Sequence, residues 1–458
     1  MSLTKRNPLA AQRFDRRRLL AGLSAGVAVA TVVPRHVFGA PKRPGANEKI
    51  NIAGIGVGGQ GWGDIQNWAG ENIVALCDVD EGRAAKAIER FGSAKFFKDG
   101  RKMLDEMDKQ VDAVLVATPD HTHAVHAINA IRRGKHVYCE KPLAHSIAEV
   151  RALVQAARDH KVVTQLGNQG HSSGSIRTFC EWIWDGAIGK VQEIHCCCGA
   201  FPGLYSQYGN LAKLGEKHEV PKTLDWDLWL GPAQWREYNP MYCHWNWRGW
   251  SAFGTGAIGD WFCHVVDPVF WAFDLGAPES VVAECEDWDP KTQGETFPKG
   301  SCVTYQFPAK GNRGPVTLKW FDGTSRPPRP VDLEPGRNPP GTGGIVLGDR
   351  GTITYGSHGA GGVRIVPEAK MQAYKLPPET IPRVPGHHQD WVNAIREGRQ
   401  AGSNFDYGGA LTEVALLGAI AMRFPGQKLE WDASAMRFKN LTEANAFISP
   451  AFRAGWSL

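Results

Sequence analysis

The chain has 458 residues, of which 42% are hydrophobic and 22% charged, and a net charge of +5. A single core stops growing at roughly 250–300 residues, so this length calls for two domains. The small net charge, part of it in the first 43 residues, gives no reason to expect nucleic acid or an acidic membrane as partner. None of the 10 Cys forms a C-x-x-C pair, which excludes the usual structural zinc arrangements, and no metal site is expected.

Taken in chain order, Asp15–Leu20 reads D-R-R-R-L-L. An Ala-, Gly- and Val-rich apolar run follows from Leu19 to Val33, too short and too weakly apolar for a comfortable membrane span. This is the layout of a secretory signal, and Arg16-Arg17 points to the twin-arginine route. A basic amphipathic tail is the plainer alternative. Val37 and Gly39 suit cleavage after Gly39; uncut, the segment would serve as an anchor.

Lys49–Ala53 reads as a short strand running into Gly54-Ile55-Gly56-Val57-Gly58-Gly59. Gly54, Gly56 and Gly59 fit G-x-G-x-x-G: a tight turn, a close backbone approach to pyrophosphate, and close helix–strand packing. The helix after it would offer its N-terminal amides to phosphate. Asn72–Cys77 is a second strand and Asp78 ends it, near the spacing expected of a carboxylate that binds the adenosine ribose. A carboxylate there repels a 2′-phosphate, which favours NAD over NADP; Asp80 is the alternative reader. Strand and helix then alternate: helix 82–91, strand 111–117, helix 124–133, strand 135–139, helix 147–159 and strand 162–166. That alternation predicts a doubly wound parallel sheet, a Rossmann domain. Glu140-Lys141-Pro142 falls at the carboxyl end of a strand, where open α/β sheets bind ligands.

With these residues in view the sequence resembles the glucose–fructose oxidoreductase / inositol dehydrogenase / MocA (Gfo/Idh/MocA) family. The resemblance rests on the glycine turn, Asp78, the run Thr118-Pro119-Asp120-His121-Thr122-His123, Glu140-Lys141-Pro142 and a later Asp260/His264 pair, and it covers roughly residues 48 to 425. It implies an N-terminal NAD(P)-binding domain and a C-terminal α+β domain with a large, mostly antiparallel sheet often used in oligomer contacts. It puts Lys141 near the nicotinamide and the substrate hydroxyl, and Thr118, Pro119, His123 and Glu140 along the cofactor site with Gly58. Asp120 stands where many members carry Asn, a mild departure. Asn168-Gln169-Gly170-His171 follows the last Rossmann strand, and Gln169 and His171 are placed to reach cofactor and substrate.

In the second half, Val191–Cys198 reads as a strand, and its three adjacent Cys as small apolar fillers. Among 17 Trp in the chain, many lie between Trp182 and Trp271. Trp226, Trp229, Trp235, Trp245, Trp247 and Trp250, with Asn246 and Arg248, suit a carbohydrate: indole faces stack on sugar C–H faces while Arg and Asn bind hydroxyls. Trp247 and Arg248 are the substrate candidates among them. Gly254 opens a helix expected to run to about Phe273. Asp260 and His264, four apart, share one of its faces, and Asp267 continues the stripe. The helix is otherwise apolar nearly all round and therefore buried, and buried Asp and His are costly unless paired or working. Strands 301–307 and 316–321 pair, 326–344 is a Pro- and Gly-rich loop, and the chain ends in helices 387–396 and 409–423 and a surface strap.

The expected layout is thus a signal segment at 1–40, an NAD-binding domain at 48–168, an α+β substrate and oligomerisation domain at 169–425 and a strap at 426–458. The expected activity is hydride transfer between a secondary hydroxyl of a sugar, cyclitol or glycoside and a tightly held NAD, in an exported, periplasmic homo-oligomer. A tightly held cofactor reset in each cycle answers the lack of a dependable NAD pool outside the cytoplasm. His264 is assigned as base, Lys141 as hydroxyl donor or relay and Asp260 as the orienting group, with the first two exchangeable. An NAD-dependent glycoside hydrolase working by transient oxidation and elimination is the second reading, and a non-catalytic sugar- or nucleotide-binding protein the third.

Overall fold

In a computed structural model, residues 48–201 and 203–458 are described; the twin-arginine segment lies outside them. Six strands form the first sheet: β1 (Asn51–Ile55), β2 (Asn72–Cys77), β3 (Lys95–Phe97), β4 (Ala113–Val116), β5 (His136–Cys139) and β6 (Thr164–Leu166), in the order β3-β2-β1-β4-β5-β6. Every pairing is parallel. Ile52, Ala53, Val114, Leu115 and Val116 are fully buried, as expected of central strands covered by helices on both faces. The strand order reverses between β1 and β4, and the crevice outside the carboxyl ends at that point is where such sheets take ligands.

The second sheet has nine strands: β7 (Val191–Cys198), β8 (Ser280–Cys285), β9 (Gly300–Phe307), β10 (Val316–Gly323), β11 (Thr342–Gly348), β12 (Thr352–Gly356), β13 (Arg364–Val366), β14 (Leu429–Asp432) and β15 (Arg437–Phe438). Their order is β13-β12-β11-β7-β10-β9-β8-β14-β15, and every pair is antiparallel except β7 with β10. Cys196, Cys197 and Cys198 are buried in β7.

Residues 50–458 pack as one unit, and three links tie the halves together. Segment 223–225 lies along the end of β2: Glu81 N–H donates to the Thr223 carbonyl at 3.2 Å and Asp225 N–H to that of Val79 at 2.8 Å. Helix His387–Glu397, expected as part of the second domain, returns to the first and sets Trp391 against Trp68 and Tyr138 in its core. Helix Phe405–Ala421 packs on helix Ile147–His160 of the first half and on helix Gly256–Val265 of the second, and most of its residues are buried.

The single helix expected from Gly254 to Phe273 is two: Gly256–Val265 and Asp267–Ala272. Pro268 lacks an N–H and its ring crowds the carbonyl four residues back, so the helix breaks just before it. The break turns Asp267 off the stripe of Asp260 and His264. Its carboxylate is instead held by Asn168 Nδ2 at 3.1 Å and Tyr407 Oη at 2.5 Å, with His171 Nδ1 at 3.0 Å.

Candidate functional site

A cavity of about 480 Å³ runs across the carboxyl ends of β1, β2, β4 and β5, with the second half as its outer wall. Volumes of this order suit small-molecule and cofactor sites. Its floor is the glycine turn after β1, but the motif sits two residues later than the sequence reading placed it. Gly54 lies inside β1 and does not reach the cavity. Gly56 makes the turn, with φ of +80°, and a Cβ there would fall 2.7 Å from the Ala117 backbone. Gly58 and Gly59 line the cavity, and Gly58 faces Arg83 of the next helix. Close helix–strand packing belongs to Gly61, whose Cβ would meet the Gly56 carbonyl oxygen at 1.9 Å. The working triplet is Gly56, Gly58 and Gly61. Gly61→Ala should therefore cost most of the nucleotide affinity and lower the Tm. Gly54→Ala should cost less, because there the Cβ meets side-chain ends, those of Val57 and Ile65, rather than backbone; titration and thermal melts of both variants check the order.

Asp78 lines the cavity and accepts hydrogen bonds from the amides of Gly58 and Asp80, both at 3.0 Å. Burial pushes its carboxyl up, and those amides work against the shift. Asp80 is occupied elsewhere: it caps helix Glu81–Arg90 through Gly82 N–H and Arg83 N–H and faces His244 at 3.2 Å. Asp80 is buried whereas Asp78 is only half-buried, so Asp78 is the carboxylate placed to meet a ribose. Thr118 Oγ1 is buried at the cavity without a hydrogen-bond partner. A glycine cradle, a carboxylate beyond it and an unsatisfied hydroxyl between are the parts a dinucleotide would fill.

The far end gathers Lys141, Asp260 and His264 from two distant stretches of chain. Lys141 Nζ pairs with Asp260 Oδ1 and donates to the Asp260 carbonyl at 3.2 Å. Tyr205 Oη donates to Asp260 Oδ2 at 2.7 Å and accepts from Trp261 Nε1 at 2.7 Å. Arg248 Nε lies 3.2 Å from the same oxygen, its guanidinium between the rings of Trp245 and Trp247 at 4.1 and 4.2 Å. Burial alone would raise the Asp260 carboxyl. The charges of Lys141 and Arg248, with the hydrogen bonds from Lys141 and Tyr205, overcome it and hold Asp260 below the usual carboxylate range. Burial likewise works to lower Lys141, but the Asp260 charge wins and keeps the ammonium above its ordinary value. His264 goes the other way: burial, then the Lys141 charge, push it well below the ordinary imidazole range. It is neutral, and its Nδ1 has no partner.

Other expected residues divide. Pro119, Glu140, Gln169, Trp247 and Arg248 line the cavity; Gln169 Nε2 donates to Glu140 Oε1 at 2.8 Å. His123 sits behind it, with ring nitrogens 2.8 Å from the carbonyls of Pro142 and Thr118, and supports both loops rather than lining them. His171 does not reach the cavity, because its ring is clamped between Asp267 and the face of Trp271. The Trp-rich stretch splits the same way: Trp226 and Trp250 are core with Tyr242 and Phe253, while Trp245 (51% exposed) stands at the mouth opposite Phe201. Asp120 is buried at the cavity, and burial together with the Asp260 charge raises it to about 7. Protonated, it offers a donor and an acceptor as the Asn common at that position does.

Sequence reading missed Arg83, Tyr205, Trp261 and His358. His358 stacks on His264 with centroids 4.1 Å apart. It sits in a Gly-rich turn at φ of +56°, and Gly359 beside it packs against the Gly170 carbonyl. The one available signal was the Gly-Ser-His-Gly-Ala-Gly-Gly run itself, which marks a turn and says nothing of its neighbours.

Comparison with known proteins agrees with this geometry. Residues 49–168 match the Gfo/Idh/MocA oxidoreductase family's NAD-binding Rossmann fold, and residues 205–305 match the C-terminal alpha/beta domain of the same family. The chain is 29% identical over 244 residues to a levoglucosan dehydrogenase of Pseudarthrobacter phenanthrenivorans, covering 53% of this chain and 52% of that protein. It is 37% identical over 172 residues to an inositol 2-dehydrogenase of Rubrobacter xylanophilus, covering 36% and 49%. The chain thus spans about half the length of the curated relatives it matches. Among solved structures, an aldose-aldose oxidoreductase from Caulobacter crescentus superposes with a TM-score of 0.55 at 18% identity, over 84% of this chain and 100% of that one. A levoglucosan dehydrogenase in complex with NADH and levoglucosan superposes with a TM-score of 0.54 at 18% identity, over 83% and 99%. Residues 49–168 and 205–305, which carry the cradle after β1, the Glu140-Lys141-Pro142 corner and the helix with Asp260 and His264, are thus the NAD-binding and C-terminal domains of the Gfo/Idh/MocA oxidoreductase family.

Proposed function

We propose that the protein transfers hydride between NAD and a secondary hydroxyl of a sugar, cyclitol or glycoside. The observation that carries this is the meeting of Lys141, Asp260 and His264 at one end of a groove whose other end carries the glycine turn and Asp78. Relatives described as levoglucosan and inositol dehydrogenases support the substrate class. Bound NAD supplies the hydride acceptor at its nicotinamide carbon, and Asp78 favours it over NADP by opposing a 2′-phosphate.

The site's own residues divide the proton work. Lys141 is charged and donates to the hydroxyl oxygen. His264 lines the same end of the groove in its neutral form and is assigned the proton that the hydroxyl gives up. Asp260 fixes the Lys141 ammonium and, through Tyr205 and Arg248, the wall on which the substrate rests. Trp245 and Trp247 offer apolar faces to ring C–H groups, and Arg248 offers donors to the neighbouring hydroxyls.

The test is a panel of sugars, cyclitols and aryl glycosides incubated with the purified protein and NAD. Reduced nicotinamide with a keto product supports the reading. Aglycone release with no net reduction assigns the redox-neutral hydrolase instead. Ligand binding with neither product leaves a binding protein and sinks the enzymatic account. Export by the twin-arginine route is part of the proposal and rests on Asp15–Leu20; cell fractionation decides it.

A further inference from the structure

We propose that the C-terminal segment closes the adenine end of the groove, with the Trp456 indole as a wall on which the base stacks, and that it slows release of the nucleotide. The inference rests on the NAD reading above and adds a binding residue to it. The groove does not stop at Asp78. It continues past the end of β2 into a recess lined by Lys98, Asp99, Gly100, His126 and Trp456. Asp78 marks the adenosine ribose, and its amide bonds the Phe97 carbonyl of β3 at 3.1 Å. The recess beside Phe97 is therefore where the base attached to that ribose must go.

Trp456 is set there by a built contact on each side. Its ring lies 4.0 Å from the Arg101 guanidinium. Arg101 is itself pinned by Asp99, through Nε at 3.1 Å and a terminal nitrogen at 2.9 Å. The buried His126 ring stands edge-on to the indole, with centroids 6.4 Å apart and planes at 88°. The tail that brings Trp456 to this spot is tied to the second half through Arg453. That side chain donates to Asp227 Oδ1 at 2.6 Å, to the Asp227 carbonyl at 3.0 Å and to the Gly231 carbonyl at 3.1 Å, and its amide bonds the Pro232 carbonyl at 2.9 Å. A tail anchored on one half thus places an aromatic face in a recess of the other. The Arg101 guanidinium backs one face of the indole, and a purine has a flat face to match the indole ring. Aromatic–base stacking is strong enough to change residence time without any sequence of hydrogen bonds.

The experiment compares the full-length protein with Trp456→Ala and Trp456→Phe. It measures NAD release by displacement with a fluorescent NAD analogue, and bound nucleotide by chromatography of the purified protein. Thermal melts without nucleotide check that each variant folds. Trp456→Ala is expected to release nucleotide ~10-fold faster or more, with Trp456→Phe between it and the parent and all three melting alike. Equal release rates in the three proteins overturn the wall and leave the NAD reading standing. Slower release or tighter binding in Trp456→Ala also overturns it, showing that the indole occupies the recess rather than lining it. Failure of the parent to bind NAD at all removes both the inference and the reading beneath it.

Discussion

Lys141→Ala lowers turnover about a thousandfold, within the range that a positioned proton donor supplies, while NAD binding survives. The separation is expected because Lys141 stands at the Asp260 end of the groove and takes no part in the glycine cradle or the Asp78 corner. Asp260 keeps a second cation, Arg248, at 3.2 Å, so loss of the lysine does not strand a lone buried carboxylate. Lys141→Arg should recover little: the planar fork cannot occupy the space of a compact ammonium that faces both a carboxylate and a carbonyl. The measurement is steady-state turnover on any substrate found in the panel, beside an NAD titration. Undiminished turnover in Lys141→Ala would remove the lysine from the chemistry and leave His264 to act without it.

Asp260→Asn has the opposite character: it damages the fold as much as the reaction. Lys141 and Arg248 would remain, 15% and 14% exposed at their side chains, with no carboxylate between them. Stranding buried charge in this way costs about 3–5 kcal/mol, which a denaturant titration resolves. The pH dependence has a definite sign. In the parent, Lys141 is held above its ordinary value, so its contribution is complete below the unfolded lysine pKa and fades as pH rises through the higher folded value. Asp260 is held below its ordinary value; its contribution is complete above the unfolded carboxylate pKa and fades as pH falls through the folded one. The pair is therefore intact across the neutral range. In Asp260→Asn, burial and Arg248 act on Lys141 with only Cys263 and Glu140 against them, and drive it below its ordinary value. The unfolded chain then binds the extra proton, and stability rises with pH. The deficit against the parent should narrow from neutral toward the ordinary lysine range. A deficit that stays constant with pH would show that the damage lies in lost packing at Tyr205 rather than in a stranded lysine.

What could be read from the chain was what local chemistry dictates. The β/α alternation from residue 49 to 168 follows from apolar runs broken by turn residues, and the parallel sheet follows from that. The Asp260/His264 pair was visible because two polar groups on an otherwise apolar helix demand a reason. The glycine register was misjudged because five glycines between Gly54 and Gly61 satisfy the motif in two ways; only the position of the Gly56 carbonyl decides between them. Asp267 and His171 were misplaced for a shared reason: Pro268 breaks the helix, and the freed carboxylate captures the imidazole. Tyr205 and His358 lie in irregular, Gly-rich loops whose partners are far along the chain, and periodicity says nothing about such residues. Trp456 reaches the groove through a tail tethered by Arg453, a placement no local pattern encodes.

The stitching of segment 223–225 onto the end of β2, with helix His387–Glu397 seated in the opposite flank, has a consequence for traffic. Both contacts join the two halves, so parting them like the covers of a book would break these contacts. Phe201 and Trp245, both exposed at the edge of the cavity, are then among the first residues a substrate meets. Selection then begins at the threshold, where aromatic faces meet the C–H faces of an entering ring before it reaches Lys141.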